Sequence, residues 1–306
     1  MGLQSVGDVD LDVVIVTWNS ARTVSQCVCS VMREAEALGM RMRIWAVDNG
    51  STDGTVQLLR TFANDWPLGF CVLELRRNHG TTVSRNLALR RTTAPSVLVL
   101  DSDAELLPGS LGRLLLTANG CPKAGLVGPR LYLGDGTIQR SFKRFPTVLS
   151  KLGQAMQHPL LARLKQAEFY SAECYTSQGL DGPVLVDSCI SAAWLVRREA
   201  MEAVGLLDER IFYSPEDVDY CLRLWLKGWQ VIYEPRAGCV HHTQRLSHRS
   251  IRFAIHHMLG LTYYFAKHRY WLRTASLYRR IGIQPGAASA HEWQEPSLHG
   301  RCIRER

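Results

Sequence analysis

The chain has 306 residues, 46% of them hydrophobic, which is enough to fill the core of one α/β domain with a tail, or of two domains. Thirty-six Lys and Arg against 28 Asp and Glu leave a formal charge of +8, a surplus that suits phosphates, anionic membranes or nucleic acid without choosing among them. No stretch reaches the roughly 18 uncharged apolar residues of a membrane span, and nine cysteines without a CxxC pair argue against a zinc site and for small buried thiols in a reducing, cytoplasmic setting.

Residues 1–12 have no apolar signal core, so export by that route is not expected. DVVIVTWN (12–19) reads as a strand that ends in polar residues. Ser20 is placed to cap the helix that follows, where Val24, Cys27, Val28, Val31 and Ala35 recur at helical spacing until Gly39 stops it. RIWAVDNGSTDGT (43–55) is a second strand ending at Asp48 with a polar turn, and 55–63 suits a short helix. FCVLELRRN (70–78) is a third strand, 81–91 a helix, and SVLVLDSD a fourth strand. This alternation predicts βαβ units on a mostly parallel sheet with right-handed crossovers. Polar residues follow every strand: Thr17 and Asn19, Asp48 and Asn49, Arg77 and Asn78, Asp101 and Asp103. In that topology all four groups emerge at one sheet edge, where ligands gather in open α/β folds. Neither GxGxxG nor a Walker A loop is present, so a bound nucleotide would be held by side chains.

In the second half, 125–140 predicts a strand and a hairpin turn around Asp135-Gly136. Residues 141–183 have weak periodicity and read as a variable excursion, and VDSCISAAWLVRREAMEAVG reads as a strand and a short helix ended by Gly205. A clearer helix runs from about Pro215 to Lys227, with Val218, Cys221, Leu222 and Trp225 as its buried stripe and Gly228 as its stop. QVIYEP is a further strand, followed by AGCVHHTQ.

Three groups carry chemistry. Asp101 and Asp103, at i and i+2 on an extended chain, point the same way, and two carboxylates on one face repel unless a cation lies close by. A hard ion, Mg²⁺ or Mn²⁺, takes one or two carboxylates and fills its other positions with phosphate oxygens and water. Glu216, Asp217 and Asp219 crowd a first helical turn; macrodipole compensation and an Asp219–Arg223 pair account for part of this, but three acids exceed what capping needs. Asp217 flanks the buried stripe and can face a cleft, where a carboxylate can take a proton from an alcohol. Of His241 and His242, alternation turns at most one toward the site.

Taken in order, VVIVTWNS, VDNGSTDGT, NHGTTVSRN, LDSDAEL, the long segment LVRREAMEAVGLLDERIFYSPEDVDYCLRLWLKGWQVIYEP and VHH resemble an inverting family 2 glycosyltransferase of the bacterial rhamnosyltransferase-like kind, over residues 12 to 268. The resemblance implies an α/β chain with the GT-A fold, a Rossmann-like, mostly parallel central sheet flanked by helices, with a C-terminal helical tail. It implies a nucleotide-binding half at about 10–105, an acceptor half at about 106–250 and a basic helical tail at 251–306. It places Thr17, Asn19, Asp48, Asn78, Arg85, Asp101 and Ser102 around the nucleotide-sugar, Arg85 near its base and diphosphate. Asp103, Asp101 and His241 fall at the metal, Mn²⁺ or Mg²⁺. Asp217 falls at the general base and Glu216 beside it. The donor would be dTDP-rhamnose or a UDP- or GDP-sugar, and the acceptor a hydroxyl on a saccharide, lipid-linked glycan or natural product; no nucleic acid is implied. The chain departs from the family pattern at Ser191, where relatives often carry Gly, and at Ser214-Pro215, where they often carry an aromatic.

A non-catalytic nucleotide- or sugar-binding module on this scaffold is the alternative, but binding alone has no use for a base. A nucleotidyltransferase would want a glycine-rich phosphate loop. The tail, 248–280, is rich in aromatics and bases. It reads either as a helix packed on the catalytic domain with its bases solvated, or as a peripheral contact with the inner face of the membrane, with Tyr270 and Trp271 inserted and Arg269, Arg273, Arg279 and Arg280 facing anionic lipid. Residues 283–306 read as loosely structured.

Overall fold

The computed structural model describes residues 9–66, 69–155, 180–242 and 251–282. The expectations for the start of the chain, for most of the 141–183 excursion and for 283–306 lie outside the described residues. The first half runs β1 (Leu11–Thr17), α1 (Val24–Ala37), β2 (Met42–Asp48), α2 (Thr55–Asp65), β3 (Phe70–Glu74), α3 (Thr81–Leu89), β4 (Ser96–Asp101). The second continues with β5 (Ala104–Leu106), α4 (Ser110–Gly120), β6 (Ala124–Tyr132), β7 (Ile138–Gln139), β8 (Phe142–Lys143) and α5 (Val148–Ala155). Then come β9 (Val184–Leu185), β10 (Ser188–Cys189), β11 (Ala193–Arg197), α6 (Arg198–Val204), α7 (Glu216–Leu226) and β12 (Gln230–His241). The tail supplies α8 (Ile251–His268) and α9 (Ala275–Ile281).

The main sheet has the order β3-β2-β1-β4-β11-β6-β12-β5. β3, β2, β1 and β4 are parallel, as the strand–helix alternation predicts, and β12 runs parallel to β6. β11 is antiparallel to both β4 and β6 and joins the two halves. The central strands β1, β4 and β11 are buried on both faces, and their alternation sorts side chains into two cores. Val13, Ile15, Leu98, Leu100 and Leu195 pack with Val24, Val28, Leu111 and Leu114 of α1 and α4. Val14, Val97, Val99, Trp194 and Val196 pack on the other face with Ala88, Leu222, Tyr264 and Phe265.

Local departures from the sequence reading have simple causes. Ser20 does not cap α1: its hydroxyl accepts from Trp18 N–H (3.2 Å) and pairs with Ser102 Oγ (2.7 Å), so it knits the loop after β1 to the loop after β4. The third strand ends at Glu74, where its neighbour β2 ends at Asp48. QVIYEP and VHH belong to one strand, β12, interrupted where its register with β6 jumps between Glu234 and Gly238. Glu234 is buried there and accepts from Thr117 Oγ1 (2.6 Å) and from Arg236 N and Nε (2.9 and 3.0 Å), which holds the bulge.

The tail packs on α7. Tyr270 is only 4% exposed and exchanges a hydrogen bond with Tyr264 (2.6 Å), so it is a core residue and not an inserting one. Asp219 of α7 is the main anchor, accepting from Lys267 (2.6 Å), His268 Nε2 (2.8 Å) and Arg223 Nε (2.9 Å), the last being the expected i, i+4 pair. Burial raises the Asp219 titration, but His268, Arg223 and Lys267 outweigh it and hold the carboxyl below its ordinary value. Its contribution to stability is therefore present above the unfolded value of about 3.8 and is lost as pH falls below it. Asp219→Asn leaves the partly buried Lys267 and Arg223 facing an amide and is expected to lower stability by about 3 kcal/mol. Faster hydrogen exchange in α8 would localise that loss; unchanged exchange there would contradict the anchor role.

Candidate active site

The parallel register brings the polar groups to one edge: Thr17 lies opposite Asp48 across β1 and β2, and Val16 opposite Asp101 across β1 and β4. Asp101 ends β4, and the chain turns at Ser102-Asp103 into β5. β5 pairs antiparallel with β12 beyond its bulge, His241 opposite Ala104, which sets the imidazole beside Asp103. His241 Nε2 lies 3.5 Å from Asp103 Oδ1, and its Nδ1 lies 2.9 Å from Gln139 Oε1. A carboxamide oxygen only accepts, so Nδ1 carries the proton toward Gln139. In the neutral ring Nε2 then turns its lone pair to a carboxylate. His242 faces away, its ring against Gly134.

Ligand atoms of Asp101, Asp103 and His241 all lie within 4.8 Å of one another. Burial and the Asp101 charge push the Asp103 carboxyl up. Two acids and an imidazole lone pair crowded in this way repel unless a cation lies among them, and the donor set fits a hard divalent ion held partly by substrate oxygens. Gln139, on the hairpin strand β7, orients the imidazole from behind, an outer partner that the sequence reading missed because no local pattern connects positions 139 and 241.

Arg85 ties this turn to the acidic pair. It is 1% exposed. Its Nη2 donates to Asp101 Oδ1 (2.5 Å) and to Ser191 O (3.1 Å), and its Nη1 to Glu216 Oε1 (3.3 Å). Arg85 is thus engaged between carboxylates, at the junction of the two halves. Ser191 donates its hydroxyl to Glu216 Oε1 (2.8 Å). Burial and the Asp217 charge push Glu216 up to about 8, and Arg85 and Ser191 offset only part of that. Neighbouring carboxyls in unlike environments can divide acid and base roles, and here burial favours the neutral form of Glu216. Asp217 is partly exposed, its Oδ1 accepting from Val218 N–H (2.8 Å). Tyr213 belongs here too, since burial and the charges of Glu216, Asp101, Asp217 and Asp103 push its phenol up to about 12.

A raised carboxyl opposes folding once it must ionise. The folded state binds the extra proton between the ordinary value of 4.5 and about 8, so stability falls as pH rises through that window. Glu216→Gln is therefore expected to flatten the decline in stability between pH 5 and pH 9 by up to about 1.4 kcal/mol per pH unit, read from Tm profiles. Parallel Tm profiles for the two proteins would contradict the raised titration.

The remaining sequence-selected residues knit together the loops that follow the parallel strands. Asp48 is buried, with Oδ1 accepting from Thr17 Oγ1 (3.0 Å) and Oδ2 from Gly50 N and Ser51 N (3.1 and 2.9 Å). Asn19 adopts φ 52°, which Asn tolerates better than most residues, and accepts from Thr52 N (2.8 Å). Asn78 Oδ1 accepts from Asn49 Nδ2 (3.1 Å) and Gly80 N (2.8 Å). Ser102 is buried against Ser20 and lends its hydroxyl to the loop.

The NHGTTVSRN segment has a clear physical role: α3 holds the loop that leads to Glu216. Thr82 Oγ1 donates to Ile211 O (2.6 Å), and Asn86 both donates to Leu207 O (2.9 Å) and accepts from its N–H (3.0 Å). Gly80, at φ 87°, lets this loop close in, since a Cβ there would overlap the Phe212 carbonyl.

Comparison with known proteins places this arrangement. Residues 12–205 match the model of the family described as glycosyl transferase family 2. An N-acetylglucosaminyl-diphospho-decaprenol L-rhamnosyltransferase of Mycobacterium tuberculosis is 30% identical over 284 residues, 86% of each chain. Among solved structures, the mannosyltransferase PcManGT of Pyrobaculum calidifontis, in complex with GDP-Man and Mn²⁺, aligns with a TM-score of 0.60 at 18% identity, over 90% of this chain and 68% of that one. GalNAc-T7 with UDP, GalNAc and Mn²⁺ aligns at 0.58 and 16% identity over 78% of this chain, which spans 44% of that longer protein. These structural likenesses establish the GT-A fold.

Proposed function

The chain belongs to glycosyl transferase family 2, and from that premise we propose that it is an inverting, metal-dependent transferase moving a sugar from a nucleotide donor to a hydroxyl of a lipid-linked saccharide. The observation that carries the reading is the Arg85 bridge, which holds the Asp101–Asp103–His241 cluster and the Glu216–Asp217 pair in one site. Asp101, Asp103 and His241 would hold Mn²⁺ or Mg²⁺, which when bound supplies positive charge to a diphosphate leaving group. Thr17, Asn19, Asp48 and Asn78 shape the nucleoside side, Ser102 braces it, and Arg85 positions Asp101 against Glu216.

Asp217 takes the proton of the acceptor hydroxyl as that oxygen attacks the anomeric carbon. The new C–O bond forms on the face opposite the diphosphate, whose bond to that carbon breaks and whose oxygen takes the electron pair. One displacement inverts the configuration, and Glu216, held neutral, supports the acceptor without competing for its proton. The Mycobacterium relative, named for transfer of L-rhamnose to a decaprenol-linked saccharide, supports dTDP-rhamnose as the first donor to try and a lipid-linked acceptor. Among the described residues no helix is long and apolar enough to cross a membrane.

A thermal-shift series with dTDP-, UDP- and GDP-sugars, with and without Mn²⁺, tests this. One donor is expected to raise Tm by several degrees only with the ion present. No shift with any donor, or shifts indifferent to metal, would overturn it.

A further inference from the structure

Eight large hydrophobic side chains stand exposed among the described residues, and six fall on one part of the surface. These are Leu149 on α5, Ile255, Met258 and Leu259 on α8, and Trp271 and Leu272 just beyond it, each between 47% and 62% exposed. Ile255, Met258 and Leu259 share a helical face at i, i+3, i+4. Met258 lies two turns before Phe265, on which Trp271 stacks at 5.8 Å. Val148 N donates to Trp271 O (2.8 Å), which brings Leu149 to the same place.

Along this part of the sequence the charges have one sign: from Pro235 to His291 the chain contains no Asp or Glu but nine Lys and Arg. Lys267 among them is paired with Asp208 and Asp219. Arg269 and Arg273, both exposed, bracket Trp271 and Leu272.

The surface also borders the acceptor side of the site. A Cβ on Gly260 would overlap the Ser214 carbonyl, and His256 stacks on Phe212 (4.3 Å), so α8 lies directly on the loop leading to Asp217. His257 feels the charges of Lys151, Lys143 and Asp217 together.

We infer that Leu149, Ile255, Met258, Leu259, Trp271 and Leu272, with Arg269 and Arg273 at their edge, form a docking surface for an anionic lipid bilayer, which sets the acceptor side of the site against the membrane. The inference deepens the proposed transfer to a lipid-linked acceptor and rests on that reading. Apolar and aromatic side chains among bases match a headgroup boundary, where the side chains enter the acyl region and the guanidinium groups stay at the phosphates. A second copy of the chain fits less well, because a two-fold contact through this face would set one basic rim against another.

Flotation of the full chain with phosphatidylglycerol-rich vesicles, and with pure phosphatidylcholine vesicles, tests the surface. Binding is expected to be at least about tenfold stronger to the anionic vesicles and to weaken as salt is raised. The double variant Leu259→Glu/Leu272→Glu should lose about tenfold or more of that binding, and Arg273→Glu a smaller part, while Tm and the donor-induced thermal shift stay at parental values. Equal or absent flotation on both lipids overturns the inference. So does a concentration-dependent dimer that the double variant splits, when no vesicle binding accompanies it, or binding that appears only with a prenyl-linked saccharide and never with vesicles alone. Vesicle binding without any donor-induced shift would leave the surface standing and defeat the transferase reading instead.

Discussion

Asp217→Asn is expected to lower kcat by about 10³-fold to 10⁴-fold, toward the upper end of what a positioned general base contributes, with nucleotide-sugar affinity within about twofold of parental. The substitution is nearly isosteric, and the bond from Val218 N–H to Oδ1 survives because an amide oxygen accepts as a carboxylate does. What disappears is the carboxylate that, on the proposed mechanism, takes the acceptor's proton. Glu216 cannot replace it at neutral pH, because burial holds it protonated and it is already engaged with Ser191 and Arg85. Removing Asp217's charge also removes the second cause that raises Glu216, so Glu216 should titrate lower in the variant. Residual activity should therefore rise with pH at a lower midpoint than the parental Glu216 value of about 8. Single-turnover assays from pH 6 to pH 9 with saturating donor measure this. Parental turnover would remove Asp217 from the mechanism, and an equal loss of donor binding would mark the effect as structural.

Asp103→Asn is expected to weaken Mn²⁺ binding and turnover by about 10³-fold, since a metal that offsets leaving-group charge is worth several kcal/mol. The accompanying stability change should have the opposite sign. Without metal, Asp103 is a largely buried carboxyl pushed up by desolvation and by Asp101. Neutralising it relieves that repulsion, so the metal-free variant should melt no lower than the parent and up to about 1 kcal/mol higher in stability. The Mn²⁺-dependent rise in Tm should vanish at the same time. Calorimetry with and without Mn²⁺ reads both effects. A destabilised metal-free variant that still gains Tm with Mn²⁺ would show that Asp103 is a structural group and not a ligand.

Much of this site was legible in the sequence. The aliphatic run Val97–Leu100 ending in Asp101 predicts a buried strand opening into a polar edge, and the strand orders its residues into two cores because backbone alternation is local. The helix at 216–226, its buried stripe and the Asp219–Arg223 pair follow from 3.6-residue periodicity, and the loops after β1, β2 and β4 from strand–helix alternation. The resemblance also grouped His241 with Asp101 and Asp103, and the three lie close together.

Tertiary structure alone decided what those side chains face. Arg85 lies 16 residues from Asp101 and 131 from Glu216 along the chain, and no local period connects such positions. The same holds for Gln139 behind His241 and for Ser191 against Glu216. Tyr270 looks amphipathic in sequence, yet packing against Tyr264 buries it and leaves Trp271 outside. The chain's own periodicity determines which face of an element is apolar, because that depends only on neighbours along the backbone. Which charges meet, and hence which carboxyl stays neutral and which takes a proton, depends on long-range register and desolvation, and these exist only once the sheet has closed.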